Sequence, residues 1–394
     1  MAILLDGRPI RVPVSGVARY CLSLANALVR LRDGGALAGM PPSDVPLPGE
    51  LVPDVLVQSA RGTNATLGAL DPRLRTIELT AFGRSRKTQN LVTEFLPALA
   101  ATTVLKRYEL VHETYFANLA HTPRQRKVAT IHDVIPLDHP HFFSRNNRLL
   151  ARRNLFRQVR LSDAVIAVSH HTKRRIVELT GCAPDHVSVI GCGVDATDAE
   201  QARAARWPIA GKLAVDDDYC LYVGNLEPRK NLGALIDAWD ALAPRHRGVK
   251  LAVAGTFNYR AEPIVARGQE RLGDRFVYLG PVSEADKWAA LSRARALVLP
   301  SLYEGYGIPI IEAYVADTLA LFSRTSSMTE LALDERQMFD PTNVSAMAAV
   351  IDHALDDPAW TGAVRARARD WVAGQSWTRV ARDVANIYQR VLAR

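Results

Sequence analysis

Short apolar runs alternate with helix-length amphipathic stretches from one end of the chain to the other. No other feature restricts the fold as much. The clearest runs are Val128–Ile131, Ala164–Val168, Val187–Ile190, Tyr219–Val223, Lys250–Ala254, Phe276–Leu279 and Ala296–Leu299. Several lead through Gly, Ser or Asn into a helical pattern, as in VIAVSHHTKRRIVELTG and CLYVGNLEPRKNLGALIDAWDAL. Strands alternating with helices predict an α/β fold, with parallel sheets covered by helices on both faces. Asn-Gly hairpin signals are absent, which disfavours an all-β fold.

At 394 residues the chain has room for two or three domains. Its 48% hydrophobic and 23% charged residues exclude a disordered chain, a collagen and a coiled coil. Residues 34–53 are rich in Gly and Pro and read as a long surface loop. From about Asp195 to Asp218 apolar periodicity lapses, with Pro208 and three consecutive aspartates, so the linker is expected there. Ligands of open α/β sheets bind beyond the carboxyl ends of strands, and two such domains would place a site in the cleft between them. The opening MAILLDGRPI is too short in apolar residues for a leader or anchor and predicts a first buried strand. No run of 18 apolar residues predicts a spanning helix. Cys21, Cys182, Cys192 and Cys220 lack C-x-x-C spacing, which points to buried thiols in a reducing cytoplasm.

Charge enters next. The formal net charge is +8, and 41 of the 49 basic residues are Arg. Such a balance suits nucleic acid, a membrane surface or phosphorylated small molecules. The excess is one-sided: residues 1–200 hold 25 basic and 18 acidic residues, residues 201–394 hold 24 and 23. Arg145–Arg175 contains nine basic residues against Asp163 alone. A solvated helix face is the plain reading of that run. The sharper one is contact with an anionic membrane or a lipid-diphosphate acceptor. No nucleic-acid recognition motif accompanies the charge, so no nucleic-acid partner is expected.

The most informative segment is Pro300–Glu312, PSLYEGYGIPIIE, which follows the buried run ALVL. Gly305 and Gly307 flank Tyr306 and permit a tight turn, and Pro309 suits the first turn of a helix. Free N–H groups near Gly307 and Ile308 would then form an anion site. Glu304 would hang from the loop and Glu312 would lie one turn into the helix, both suited to polar hydroxyls. In Tyr222–Leu232, YVGNLEPRKNL, Arg229 and Lys230 sit just ahead of a helix start near Asn231. A guanidinium and an ammonium there suit a diphosphate and can stabilise it as a leaving group.

E-G-Y-G-I-P-x-x-E downstream of G-N-x-x-x-R-K-N resembles the retaining glycosyltransferases of family 4, with the GT-B fold of two Rossmann-like domains facing a central cleft. The similarity runs over most of the chain. LLDGRPIRVPVSGVARYCLSLANAL resembles the family's first strand, glycine loop and helix, with Gly16 at the loop tip. ATIHDVIPL matches its strand ending in His132 and Asp133, VIAVSHHTKRRI its strand–Ser–helix unit, and GCGVD its turn before the linker. SRTSSMTEL resembles the stretch carrying Ser326, Ser327 and Glu330.

The resemblance implies an N-terminal Rossmann-like acceptor domain over 1–205 and a nucleotide-sugar donor domain over 206–372. A C-terminal helix in 373–394 would pack back on the first domain. Arg229 and Lys230 would bind the donor diphosphate, helped by backbone N–H groups at Gly16 and at Gly307–Ile308. Glu304 would contact sugar hydroxyls, Glu312 the ribose, and His132 would sit beside the transferred sugar. No cofactor and no divalent metal would be needed. The opening segment, IHDVIPL and EGYGIPIIEA most resemble mannosyl- and rhamnosyltransferases of bacterial surface polysaccharides. That implies GDP-mannose as donor, with a rhamnose donor or UDP-glucose behind it. The acceptor would be a glycan or lipid-linked glycan, met in the cytoplasm or at the inner face of the membrane. A catalytically silent scaffold of the same fold is the alternative from another class.

Two departures stand out. Tyr306 replaces a frequent Phe. Tyr314–Ala320, YVADTLA, replaces the family's Met-Ala-Cys-Gly-Thr-Pro-Val, so Asp317 stands where a glycine shapes the turn. Other signals carry less. Gly191–Ala196 fits G-x-G-x-x-A but precedes no apolar helix, Asp216–Asp218 precedes a strand rather than ending one, and Asp138, His139 and His141 surround Pro140 in a loop. No P-loop sequence exists.

Overall fold

A computed structural model describes residues 2–10, 16–32, 51–59, 69–80, 106–116, 124–194, 209, 211–257 and 262–394. The chain divides into two compact units, Met1–Gly193 with Trp377–Arg394, and Val194–Ser376. The divisions thus fall at 193/194 and 376/377, where the sequence suggested 205/206 and 372/373. Most of the loop expected over 34–53, and residues 195–208 of the expected linker, lie outside the described residues.

The first unit is built on a parallel sheet in the order β3-β2-β1-β4-β5-β6-β7. Its strands are β1 (Ile3–Asp6), β2 (Asp54–Ser59), β3 (Thr76–Thr80), β4 (Leu110–Glu113), β5 (Arg126–Ile131), β6 (Ala164–Ala167) and β7 (Val187–Val189). Among the described residues its helices are α1 (Gly16–Arg32), α2 (Ile135–Asp138), α3 (Arg145–Leu161) and α4 (His170–Thr180). β1 and β4 are buried along their whole length, as parallel strands covered on both faces must be. Ser144 and Ser169 cap α3 and α4 by accepting the N–H groups of Asn147 and Thr172.

The second unit carries a parallel sheet in the order β10-β9-β8-β11-β12-β13. The strands are β8 (Tyr219–Val223), β9 (Lys250–Ala254), β10 (Phe276–Gly280), β11 (Ala296–Leu299), β12 (Leu319–Ser323) and β13 (Met338–Phe339). Among the described residues the helices are α5 (Leu232–Asp240), α6 (Glu262–Leu272), α7 (Glu284–Arg293), α8 (Ile308–Val315), α9 (Val344–Asp356) and α10 (Pro358–Ala373). One core cluster, around Trp239, Leu251 and Ile351, lies on one side of this sheet; another, around Trp288, Leu299 and Ile310, lies on the other. β8 pairs with both β9 and β11, so the strand order reverses between β8 and β11. The helices that follow those two strands, α5 and α8, therefore pack in the two different core clusters, which leaves a crevice at the strands' carboxyl ends.

The last helix, α11 (Trp377–Leu392), belongs to the first unit. Trp377, Val380, Ala381, Val384, Ala385, Tyr388 and Val391 are buried at helical spacing along one face. The Trp377 ring meets Tyr20 of α1 edge-on, 5.6 Å between centroids. Tyr388 shares a 2.7 Å hydrogen bond with Nδ1 of His112 on β4, and His112 Nε2 shares one of 2.8 Å with Thr130 of β5.

Several expectations are revised or explained. Gly16 is the first helical residue of α1 rather than a loop tip. Asp317 itself adopts the left-handed conformation, φ 56°, that the family's glycine would supply. Its carboxylate is held by Arg365 at 2.6 Å and Arg369 at 2.7 Å, and aspartate is among the residues that tolerate this region. Asp138 is engaged by Arg175 at 2.7 Å. Asp217 accepts the Ala214 N–H and pairs with Lys250, while Asp218 faces Arg295 at 3.4 Å.

Candidate functional site

The crevice side of β8 is shaped by close backbone approach. A Cβ added at Gly255 would fall 1.8 Å from the Gly224 carbonyl oxygen, so the chain after β9 can run against the end of β8 only with glycine there. Beyond Gly224 the chain makes a 3-10 turn, Pro228–Lys230, that presents Arg229 and Lys230. Asn231 ends the turn at φ 58° and donates its side-chain amide to the Pro341 carbonyl at 2.9 Å.

β11 delivers the second loop beside the first. The Leu302 N–H donates to the Arg229 carbonyl at 2.9 Å, joining the two loops directly. Lys230 Nζ then donates to Glu304 Oε1 at 2.5 Å. Arg229 Nη1 donates to the Tyr303 carbonyl at 2.5 Å and lies 3.4 Å from Glu304 Oε2, while Nη2 reaches Glu227. Glu304 is 8% exposed and is held by these cations rather than by solvent. Burial alone would raise its pKa, but Lys230 and then Arg229 outweigh that and hold it at about 2. The serine pair fixes the backbone on either side: the Glu304 N–H donates to Ser326 Oγ at 3.0 Å, and Ser327 Oγ donates to the Glu304 carbonyl at 2.8 Å.

Gly307, at φ 105°, is the N-cap of α8, with Pro309 in the first turn and Ile308 as the first helical residue. Tyr306 packs with the core cluster that contains Met328 and Leu331. Glu312 is buried one turn into α8, where Lys287 of α7 donates to it at 2.8 Å and also reaches Glu284 at 2.8 Å. Lys287 escaped the sequence reading because its relation to Glu312 exists only once α7 and α8 pack side by side.

In the first unit His132 follows β5 directly, its Nε2 3.1 Å from the Thr114 carbonyl. Since a carbonyl can only accept, Nε2 carries the proton and Nδ1 is left as an acceptor. Burial pushes the imidazole down to about 4, so it is neutral near pH 7. The Tyr20 ring stands edge-on to it at 4.8 Å. Asp133 accepts the Ile135 N–H at 3.0 Å, just ahead of α2. Gly16 opens α1 with its residue exposed. Of the residues singled out from sequence, Arg229, Lys230 and Glu304 thus form one cluster, and Tyr306, Gly307 and Ile308 continue the same loop into α8. Glu312 joins Lys287, and Gly16 and His132 belong to the other unit.

A guanidinium and an ammonium converge here on one ionised carboxylate at the reversal point of a parallel sheet. The cations can receive an anion, and the carboxylate keeps them oriented while offering lone pairs to hydroxyls.

Residues 14–198 match the family described as Glycosyltransferase Family 4, and residues 205–371 match Glycosyl transferases group 1. An O-antigen chain mannosyltransferase B of Escherichia coli is 25% identical over 99% of this chain and 100% of its own length. The E. coli serotype-specific mannosyltransferase WbdA is 27% identical over 68% of the chain, which spans only 34% of that longer protein. The structure of Anabaena Alr3699/HepE in complex with UDP and glucose superposes with a TM-score of 0.72 at 17% identity, covering 99% of this chain and 100% of that one. That last likeness speaks to the fold, and the fold is GT-B. The chain is a glycosyltransferase and belongs to family 4.

Proposed function

We propose that the protein transfers mannose from GDP-mannose, with retention and without a metal, to a glycan or lipid-linked acceptor in surface-polysaccharide assembly. The observation that carries this reading is the Arg229–Lys230–Glu304 cluster in a chain similar from end to end to an O-antigen mannosyltransferase. Arg229 and Lys230 hold the diphosphate and offset the charge that grows on it as the sugar bond breaks. Backbone N–H groups at Gly307–Ile308 and at Gly16 add to that field. Glu304 accepts from sugar hydroxyls, and Glu312, steadied by Lys287, accepts from the ribose. His132 is neutral with Nδ1 free to accept, which suits a sugar hydroxyl on the transferred residue. The acceptor hydroxyl attacks from the face the diphosphate leaves, so configuration is kept. The reaction takes place in the cytoplasm, and at the inner face of the plasma membrane when the acceptor is lipid-linked.

A panel of nucleotide sugars tests the reading, through transfer or slow hydrolysis and through the rise in melting temperature that a native-state ligand produces. GDP-mannose should give the largest rise, and activity should survive EDTA. UDP-glucose or a rhamnose donor leading the panel would transfer the proposal to those sugars. Turnover of no donor, with no binding of any nucleoside diphosphate, would leave the silent scaffold.

A further inference from the structure

Helix α3 is two-sided in a way its sequence position does not require. Leu155, Gln158 and Val159 face inward and are buried, and Gln158 donates to Glu113 Oε2 at 3.1 Å and to the Tyr115 carbonyl at 2.7 Å. On the outer side Arg145, Leu149, Arg152, Arg153, Phe156 and Arg160 recur at i, i+4, i+7, i+8, i+11 and i+15, which aligns them in one stripe. Leu149 is 59% exposed and Phe156 37%, so the centre of the solvent face is apolar.

The charge around those side chains is unbalanced. α3 has six arginines and no acidic residue. Among the described residues none of the six is ion-paired, whereas Arg126 and Arg175 on either side in sequence are held by Asp163 and Asp138. The nine-residue basic run of the sequence therefore resolves into one open helix and a second, α4, whose Arg175 is neutralised. Beside α3 lies a groove of ≈ 820 Å³ lined by Arg153, Phe156, Arg157, Arg160, Cys182 and His186.

Arginines alone would suit any polyanion, and exposed Leu and Phe alone would suit any apolar partner. A phosphate backbone gives Leu149 and Phe156 nothing to enter. Their combination on one docked helix matches an anionic bilayer, where the rings and branched chains sink to the headgroup boundary and long arginines reach phosphates. We propose that this face of α3 binds the surface of a membrane containing anionic phospholipid, with Leu149 and Phe156 inserted and a lipid phosphate seated in the arginine-lined groove. The proposal is independent of which sugar is transferred.

The test uses the full chain with vesicles of phosphatidylcholine alone and of phosphatidylcholine mixed with phosphatidylglycerol. Co-sedimentation is expected with the mixed vesicles, falling as salt rises. Arg153→Glu with Arg157→Glu should lower it by about tenfold or more, at roughly fivefold per lost charge. Replacing both by Lys should keep most of it. Leu149→Ser with Phe156→Ser should also weaken it, with thermal unfolding and donor turnover unchanged in every variant. Equal binding to both vesicle types, no binding, or indifference to the charge reversals would overturn the proposal. So would binding to a soluble polyanion as strong as to the mixed vesicles, with no effect of Leu149→Ser and Phe156→Ser on vesicle binding. Vesicle binding and donor turnover are read separately, so failure of either leaves the other standing.

Discussion

Lys230 donates to Glu304 across 74 residues of sequence and 2.5 Å of space. The contact follows from strand order: β8 and β11 are neighbours, so the loops that leave them meet even though β9 and β10 intervene in the chain. Each partner alone would be an ordinary surface charge. Together, and nearly buried, they make a site that can exchange one negative group for another.

Replacing Lys230 by Met should reduce the affinity for GDP by about 10- to 100-fold, since a hydrogen bond to a charged group contributes roughly 1.5–3 kcal/mol. Arg229 remains 3.4 Å from Glu304, which keeps the carboxylate partnered and the unit folded. Titration calorimetry reads the change, and unaltered affinity would remove Lys230 from the donor site.

Lys287→Met and Glu312→Gln should act alike. If Lys287 orients Glu312, its loss should weaken nucleotide binding by about the same few-fold to tenfold factor as the change at Glu312, and the double variant should show less than the product. Fully multiplicative effects in a double-mutant cycle would mean that the 2.8 Å pair has no bearing on the nucleotide.

Gly255→Ala should destabilise the second unit by roughly 1–3 kcal/mol or more, because the new methyl meets backbone rather than a yielding side chain. The displaced neighbour is Gly224, at the head of the loop bearing Arg229 and Lys230, so nucleotide affinity should fall with the melting temperature. A variant with normal stability and affinity would contradict the close approach.

Acid should weaken the first unit before it touches Glu304. Burial lowers His112 to about 3 and His132 to about 4, against roughly 6.5 in an unfolded chain. Below about 6.5 the unfolded state takes up protons that the folded state refuses. The stability from each is thus whole above that pH and falls by about 1.4 kcal/mol per pH unit as pH drops toward the folded value. Glu304 acts in the same direction over a lower range: its stabilisation is present above roughly 4.3 and is lost only as pH falls toward about 2. Denaturant titrations at pH 7 and pH 5 check this, and equal stability at both would refute it. Tyr388→Phe, which strips His112 Nδ1 of its partner, should cost about 1–3 kcal/mol at neutral pH.

Much of this was legible in residue order. Tyr219–Val223, Lys250–Ala254 and Ala296–Leu299 form strands with the limits that their apolar runs suggest, because a strand buried on both faces has nowhere to hide a polar residue. The pairing of Arg229 and Lys230 with Glu304 needed the strand order, which no local pattern encodes. The Lys287–Glu312 and His112–Tyr388 contacts were invisible for the same reason, the second joining residues 276 apart. Asp317 looked like a conflict with the turn, yet a short carboxylate reaching two arginines satisfies the left-handed backbone. The outward Leu149 and Phe156 were hidden by the arginines around them, since a basic helix reads as solvated until the buried face is known.

The placement of α11 carries a consequence for synthesis. The second unit is an insertion with adjacent ends: the Val194 N–H donates to the Gln375 carbonyl at 3.2 Å, where the chain enters and leaves it. Val194–Ser376 holds all its own strands and can fold as soon as it clears the ribosome. The first unit, begun earlier, must wait for Trp377 and Tyr388 to cover Tyr20 and His112. The half translated first is the half completed last, and a stalled or clipped chain would expose the wall behind His132 while leaving the half that carries Arg229, Lys230 and Glu304 intact.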